Sequence, residues 1–296
     1  MANQKNKKEK GIVRILKYLR NTVRLGTFIG KPLTETYDKE IWIETPSGRN
    51  IYAHVHCPNK DGVYPGVVII PGGNSCGTDY DKFWAEIRAQ DIASLGFVVL
   101  HYDPSGRGKS GGKEDYWGQV HQQELSWVVN YFSQLEEVKG QNIGIMSFSI
   151  GIIIATGALA RFPMPGIKYL FDWEGPSNRH NITRNDTHKP LLNFHTSNDE
   201  FWKEREASSF IGNIKCGYFR YQAELDHVQG NYKGHAIELL NMATKGKAAW
   251  TVCNDNPVNL FFDESKTQEY RWVPPRLNHK GQILKYLVEL QKEKFV

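Results

Sequence analysis

Cysteine is scarce in this 296-residue chain, and its pattern indicates neither disulfides nor a metal site. The four cysteines (Cys57, Cys76, Cys216 and Cys253) form no C-x-x-C pair and no spacing typical of metal ligands. The simplest interpretation is four reduced, buried thiols in a cytoplasmic protein. Long apolar runs are also missing: none approaches the roughly 18 residues that a transmembrane helix needs, so none is predicted.

The body of the chain carries no excess of basic residues, although the net charge is +5. Residues 1–25 hold eight Lys/Arg and one Glu, which leaves 29 basic and 31 acidic residues in the remainder. The excess positive charge is therefore confined to the N-terminal segment. This balance gives no support for nucleic-acid binding by the main domain.

The N-terminal segment, residues 1–37, is predicted to be a basic tail that contains an amphipathic helix. Within residues 11–25, apolar side chains recur at helical spacing with Arg and Lys between them (Ile12, Ile15, Leu16, Leu19 and Val23). Two interpretations stay open. Either the helix rests on an anionic membrane surface or a partner, or its apolar stripe packs on the protein's own body or on a second subunit, as in a homodimer.

From residue 38 onward, strand patterns alternate with helix patterns. Residues 40–44 and 50–56 flank a Pro-Ser-Gly turn and predict an antiparallel β-hairpin. Apolar runs then predict strands at 66–70, 96–100, 143–146, 166–172, 216–223 and 257–262, with helices at 81–95, 117–135, 149–161 and 282–290. This alternation predicts an α/β fold, a mostly parallel twisted sheet with helices on both faces. We expect a single domain at 38–296, with a small cap insertion at about 175–215.

The most informative segment is Ser147-Phe148-Ser149-Ile150-Gly151, which joins an apolar strand to a helical pattern. A serine at such a sharp turn has its hydroxyl exposed at the end of the sheet, with the helix N-terminus close behind it. Two other turns follow buried strands: Pro71-Gly72-Gly73-Asn74 and the glycine-rich stretch 103–111. The latter is not a phosphate-binding loop, because an aspartate stands where such a loop needs its first glycine.

Together these motifs resemble the α/β-hydrolase fold family, over roughly residues 38–292. Ser147 replaces the first glycine of that family's G-x-S-x-G turn, and residues 103–111 look like its Asp-x-x-Gly-x-Gly-x-Ser turn. The resemblance implies a nucleophilic serine, followed along the chain by an acid and then a histidine. It also implies a histidine loop just before the final helix, where His279 stands.

The nucleophile is predicted to be Ser149, and the acid that orients the base is predicted to be Asp226. Asp226 falls just past a predicted strand end, where open α/β sheets place functional groups. The alternative for this residue is a cap on the following helix. Glu174 and Asp172, after the preceding strand, are alternative acids.

The base is predicted to be His279, because it occupies the position of the family's histidine loop. His227 is an alternative, disfavoured because adjacent side chains of an extended turn usually point in different directions. His235 is a second alternative, although it opens a helical stretch where a histidine is more often structural.

Backbone N–H groups are expected to stabilise the oxyanion of the tetrahedral intermediate. One belongs to Ile150, and the other to Gly73 or Asn74 in the loop after the preceding strand. Aromatic residues of the predicted cap region are candidate pocket walls, with packing in the cap core as the alternative (Trp173, Phe194 and Trp202).

The sequence therefore predicts a serine hydrolase that acts on a small-molecule carboxylic ester or similar acyl bond. No metal or organic cofactor is required by this chemistry, and no ligand cluster indicates one. A peptidase or acyl-amino-acid hydrolase is the alternative enzyme. A non-hydrolysing small-molecule receptor on the same fold, or a surface-associated scaffold, is the alternative outside enzymes.

Overall fold

The computed structural model describes residues 33–83, 85–182, 195–257, 263–274 and 278–292. The strands are β1 (Thr36–Glu44), β2 (Asn50–Pro58), β3 (Tyr64–Ile70), β4 (Val98–Tyr102), β5 (Val138–Phe148), β6 (Ile167–Trp173), β7 (Gly217–Tyr221), β8 (Thr251–Cys253) and β9 (Asn256–Pro257). The α-helices are α1 (Ala89–Ala93), α2 (Gln119–Phe132), α3 (Ile152–Arg161), α4 (Arg179–Ile182), α5 (Asp199–Trp202), α6 (Ser208–Ile211), α7 (Gly234–Lys245) and α8 (His279–Gln291). Short 3-10 turns cover Gly77–Asp81, Ser149–Gly151 and Glu264–Glu269.

Within the described residues the strands form one nine-stranded sheet, in the order β1-β2-β4-β3-β5-β6-β7-β8-β9. The predicted hairpin is present: β1 runs antiparallel to β2, with Thr36 opposite Pro58. β2 is also antiparallel to β4, and β8 to β9, while all pairings from β4 to β8 are parallel. The α/β fold class with an N-terminal antiparallel hairpin is therefore confirmed.

Helices cover both faces of this sheet and create two cores. On one face α2, α3 and α7 bury side chains such as Val128 and Ile153. On the other face α1 and α8 bury side chains such as Ile92 and Leu287. Residues 67–70 alternate between the two cores, which is why β3 reads as a continuous apolar run.

The helix predicted at 81–95 is wrong over its first half. A 3-10 turn ends at Asp81, and α1 begins only at Ala89. Asp81 is held by histidines of the sheet, so its segment follows the sheet rather than a helical path. Arg88 and Asp91 then start α1: the Arg88 N–H donates to Asp91 Oδ2 at 2.9 Å.

Several other expectations concern the chain ends and loops. The helix predicted at 11–25 lies outside the described residues, as does most of the strand predicted at 257–262. No apolar run predicts β8, which has only three residues. Of the predicted cap, residues 175–182 and 195–215 are described, and they form α4, α5 and α6.

All four cysteines are free, and no described helix is long and apolar enough to cross a bilayer.

The turn after β4 is joined to the loop after β3 through Asp103. Its carboxylate accepts hydrogen bonds from the backbone N–H groups of Thr78 at 3.1 Å and Lys109 at 2.8 Å. Gly108 has a φ of +53°, and a Cβ at this position would lie 1.9 Å from Asp103 Oδ2. Both the backbone conformation and the space therefore require glycine here.

Replacement of this glycine tests the contact. Gly108→Ala should lower the free energy of unfolding by about 1–2 kcal/mol for the positive φ and by a further ~1–3 kcal/mol for overpacking against Asp103. Gly48→Ala is the matched control, because Gly48 has a φ of +74° but a Cβ added there would have no atom within 4 Å. Denaturant unfolding measures both variants, and equal losses would contradict the contact.

Candidate active site

Ser149 stands at the strand-to-helix turn between β5 and α3, as the sequence predicts. Its backbone is left-handed, with a φ of +51°, and only 8% of the residue is exposed. Glycines allow the close packing around this turn. A Cβ at Gly151 would lie 2.7 Å from the Pro71 carbonyl oxygen, and one at Gly72 would lie 2.8 Å from that of Phe148. A serine held in this uncommon conformation is typical of a functional turn.

His227, in the loop after β7, is the histidine that contacts Ser149. Its Nε2 lies 3.1 Å from Ser149 Oγ, and its Nδ1 lies 2.9 Å from Glu174 Oε2. The Phe148 ring stacks on the imidazole, with centroids 5.0 Å apart. Because a carboxylate accepts at Nδ1, the neutral imidazole presents the lone pair of Nε2 to the serine hydroxyl. The three side chains form a continuous hydrogen-bonded chain.

Glu174 is fixed at both carboxylate oxygens. It follows β6 directly, has a left-handed φ of +53° and is buried. Its Oε1 accepts the backbone N–H of Ala223 at 2.8 Å, while Oε2 faces His227. Its own N–H donates to the Tyr221 carbonyl at 3.1 Å. These bonds leave the carboxylate little freedom, so it holds the imidazole in one orientation.

The expectation that His279 contacts Ser149 as its base is wrong. His279 is the first residue of α8, and its Nδ1 lies 2.7 Å from the Tyr221 hydroxyl. Asn278 caps this helix through a hydrogen bond from the Gly281 N–H at 3.0 Å. The cap fixes the start of α8, and His279 is directed toward Tyr221 rather than toward the serine.

Asp226 lies next to the site but does not pair with His279. Its Oδ1 accepts the backbone N–H groups of Val228 and Gln229, each at 2.8 Å, and its Oδ2 accepts the Gln222 amide at 2.9 Å. Its Oδ1 is 3.6 Å from His227 Nδ1, farther than Glu174. Asp226 therefore stabilises its own loop through these hydrogen bonds, and its negative charge lies near His227 Nδ1.

The environment of Asp226 favours its ionised form. Burial alone opposes ionisation, but the nearby His235 imidazole, the Gln222 amide and the Gln229 N–H outweigh it and hold the pKa of Asp226 well below its usual range. His235 Nε2 lies 3.4 Å from the carboxylate. His235 is buried in α7, where it has a structural position.

Asp172, the other alternative acid, is fully buried in an ion pair with Arg220. Its Oδ2 lies 2.5 Å from Arg220 Nη1 and accepts the Tyr218 hydroxyl at 2.7 Å. Arg220 also donates to the Gly175 carbonyl at 2.7 Å. The pair thus joins the ends of β6 and β7, from which the loops of Glu174 and His227 leave. An arginine inside the strand pattern of 217–221 was the sequence signal for such a buried partner.

The predicted oxyanion donors belong to Ile150 and to the loop of Gly73 and Asn74. Ile150 follows the serine in the first turn of the helical segment, where N–H groups have no carbonyl one turn earlier. In the other loop, the Gly73 carbonyl accepts Trp117 Nε1 at 2.9 Å and Arg107 Nη1 at 3.0 Å. In a trans peptide bond the carbonyl oxygen and the following N–H point in opposite directions. Every described peptide bond is trans, so the Asn74 N–H points to the side opposite the Gly73 carbonyl oxygen. Neither Arg107 nor Trp117 was predicted from the sequence to have a role here.

A cavity opens beside Ser149 and is lined by both apolar and polar residues. Its apolar lining comes from Ile150, Pro176, Ile182 and Val228, and its polar lining includes Asn181, Gln229 and His235. Neither predicted aromatic wall residue that the structure describes lines this cavity. Trp202 is fully buried in the core beneath α5, and Trp173 packs on the Phe148 ring with centroids 4.6 Å apart. Phe194 lies outside the described residues.

The sheet order, the serine at the end of β5 and the flanking glycine loops are those of the α/β-hydrolase fold. No family model matches the chain, and no curated protein matches its sequence. Solved structures do match. A puromycin-hydrolyzing peptidase from Mycobacterium tuberculosis has a TM-score of 0.62 at 14% identity, over 86% of this chain and 38% of its own.

Two esterases give similar scores. An esterase from Pyrococcus furiosus has a TM-score of 0.61 at 16% identity, over 88% of this chain and 91% of its own. An acetyl xylan esterase from Thermoanaerobacterium has a TM-score of 0.53 at 12% identity, over 77% of this chain and 83% of its own. The chain therefore spans little more than a third of the peptidase but most of either esterase. At these identities, the likeness establishes the fold.

Asp226 should stabilise the fold in a pH-dependent way. Because its pKa is lowered on folding, its contribution is complete above the unfolded value of about 4 and is lost as pH falls below it. Asp226→Asn should therefore cost about 2–3 kcal/mol of unfolding free energy at pH 7 and progressively less below pH ~4. Urea unfolding across this range measures the difference.

The exposed Asp61 supplies a control for the same substitution. Asp61→Asn should change the unfolding free energy by no more than about 0.5 kcal/mol. A loss in Asp226→Asn that stays constant down to the lowest pH at which the protein remains folded would contradict the assigned ionisation.

Proposed function

We propose that this protein is a serine hydrolase that cleaves a carboxylic ester of a small substrate through an acyl-enzyme on Ser149. The observation that carries the proposal is the hydrogen-bonded chain from Ser149 Oγ through His227 to Glu174. A hydroxyl is a weak nucleophile until a positioned base accepts its proton, and the base needs a carboxylate that fixes its tautomer. The three residues supply these parts, with His227 and Glu174 in place of the expected His279 and Asp226.

In the first half of the reaction, Ser149 Oγ attacks the acyl carbonyl while its proton passes to His227 Nε2. The imidazolium that forms is stabilised by Glu174 at Nδ1, with Asp226 nearby. His227 then returns the proton to the leaving oxygen, and the alcohol departs. In the second half, His227 takes a proton from the water that attacks the acyl-enzyme. It then returns this proton to Ser149 Oγ as the carboxylic acid leaves, which restores the free serine and the neutral imidazole.

The developing oxyanion is proposed to accept the N–H groups of Ile150 and Asn74. Both belong to the main chain, so they are directed before substrate arrives and need no reorganisation during the reaction. Arg107 and Trp117 donate hydrogen bonds to the Gly73 carbonyl oxygen, on the side of the peptide opposite the Asn74 N–H. These two residues act as positioning residues, since they fix the peptide that carries the Asn74 N–H.

The ester substrate is supported by the cavity beside Ser149. Its apolar lining residues, Ile150, Pro176, Ile182 and Val228, are proposed to contact the acyl group. A peptidase is a second candidate, because the fold matches a puromycin-hydrolyzing peptidase over 86% of this chain. A binding protein on the same fold is the alternative in which no turnover occurs.

Labelling by a fluorophosphonate probe, read by intact mass, tests the arrangement together with hydrolysis of a short-chain chromogenic ester. Wild type should gain one adduct. Ser149→Ala and His227→Gln should lose labelling and about 10⁴-fold or more of the turnover rate, and Glu174→Gln should lose roughly 10³–10⁴-fold. His279→Gln is the matched histidine control and should stay within a few-fold of wild type.

Other outcomes would contradict these assignments. If His279→Gln abolishes labelling while His227→Gln retains it, the assigned base is wrong. If folded wild type neither labels nor hydrolyses the ester, the binding-protein alternative replaces the proposal. Comparison with matched aminoacyl anilides decides between ester and amide: faster anilide cleavage would favour the peptidase.

A further inference from the structure

Three buried histidines gather on one face of the sheet, away from the active site. His54 and His56 alternate along β2 and therefore share a face, and His101 on β4 is paired directly with His54. Asp81, at the end of the 3-10 turn after β3, lies over them. We call these four residues the histidine cluster. β3 separates its strand β4 from β5, the strand that leads into the turn of Ser149.

One nitrogen of each imidazole converges on the Asp81 carboxylate. His56 Nε2 and His101 Nε2 each lie 2.8 Å from Asp81 Oδ1, and His54 Nδ1 lies 2.8 Å from Oδ2. The four ligand atoms all lie within 4.8 Å of one another. Four N and O donors this close, drawn from three separate chain segments, match the number and type of ligands at a closed zinc site.

The ring arrangement also fits a single ion. The imidazole centroids of His54, His56 and His101 are 4.5, 5.5 and 5.6 Å apart. Three imidazoles around one tetrahedral zinc, with Zn–N of roughly 2.0–2.1 Å, have centroids about 5 Å apart. Neighbouring ligand atoms would be about 3.3 Å apart. The Asp81 oxygens lie 2.8 Å from the three imidazole nitrogens, so the proposed site requires the Asp81 side chain, which is 28% exposed, to rotate outward.

A second carboxylate stands behind the cluster. Asp38 Oδ2 lies 2.8 Å from His54 Nε2, the nitrogen that faces away from Asp81. Metal-bound histidines commonly donate their other N–H to a carboxylate, which fixes the tautomer and leaves the lone pair for the metal. Charge also balances: Asp38 and Asp81 together neutralise a divalent cation among neutral imidazoles.

We propose that His54, His56, His101 and Asp81 bind one zinc ion, with Asp38 as the carboxylate that supports His54. The site has four protein ligands, so its role is structural. It ties the segment after β3 to strands β2 and β4. That segment begins with the loop of Gly73 and Asn74, and Asp81 is its last residue before the irregular stretch that leads to α1. Only His54 and His56 are close in the sequence; Asp81 and His101 are brought to them by the fold.

Zinc binding to the untagged full-length protein tests this proposal. After chelator treatment and addition of zinc chloride, gel-filtered wild type should retain one zinc per chain by elemental analysis, and its melting temperature should rise. Asp81→Asn and the double variant His54→Asn/His56→Asn should weaken zinc binding at least about 100-fold in chelator competition. Asp38→Asn should weaken it about 10–100-fold, the usual effect of losing a supporting carboxylate.

Two controls separate this site from other histidines. His180→Asn/His195→Asn removes two exposed histidines and should leave zinc affinity unchanged. His227→Gln removes a member of the separate Glu174–Asp226–His227 group at the active site and should also leave zinc affinity unchanged. Circular dichroism verifies folding. Asp38 is 59% exposed, so Asp38→Asn keeps the test decisive if the double variant does not fold.

Two results would overturn the proposal. One is wild type that binds less than stoichiometric zinc without a change in melting temperature, which would make the cluster a hydrogen-bonded network only. The other is zinc binding that is unaffected by Asp81→Asn and Asp38→Asn, or lost in His227→Gln. Neither result depends on whether the protein hydrolyses esters, because zinc content and melting temperature are measured without substrate.

Discussion

The tight turn at Ser149 depends on contact between three segments of backbone. β5 must end, α3 must begin, and the loop after β3 must pass within van der Waals distance of both. Gly72 and Gly151 permit this, since a Cβ at either position would lie less than 3 Å from a carbonyl oxygen of a neighbouring segment. The serine accepts a left-handed backbone as a result. His227 contacts the hydroxyl that this turn presents, and Glu174 contacts the far side of the imidazole.

Behind the turn, buried charge fixes the loops that supply the other groups. Arg220 and Asp172 are both fully buried, and they connect the ends of β6 and β7. A buried ion pair stabilises little by itself, but loss of one partner leaves an uncompensated charge, which is strongly unfavourable. The pair therefore enforces one relative position for the residues that follow, Glu174 after β6 and His227 after β7. Hydrogen bonds to Asp226 then fold the β7 loop so that the imidazole faces Ser149.

Local patterns were sufficient to predict most of the sheet and the position of Ser149 at the strand-to-helix turn, but not the histidine that contacts it. Apolar runs and turn residues identify β1 to β7, and strand–turn–helix spacing identifies Ser149. The argument that disfavoured His227, its position next to Asp226, does not hold: its Nδ1 lies 3.6 Å from Asp226 Oδ1, and its Nε2 still faces the serine. His279 matched a sequence position, whereas its direction depends on the Asn278 cap and on Tyr221. The histidine cluster likewise requires the register of β2 against β4, which no local pattern contains.

A crystal structure of the protein after reaction with a fluorophosphonate would test the central claim most directly. We expect phosphorus bonded to Ser149 Oγ, with one phosphoryl oxygen within hydrogen-bonding distance of the Ile150 and Asn74 N–H groups. His227 should remain bonded to Glu174 and face the adduct, while His279 stays on Tyr221. An adduct contacted by His279, or a His227 that has left Glu174 for a position away from the serine, would contradict the assigned catalytic residues.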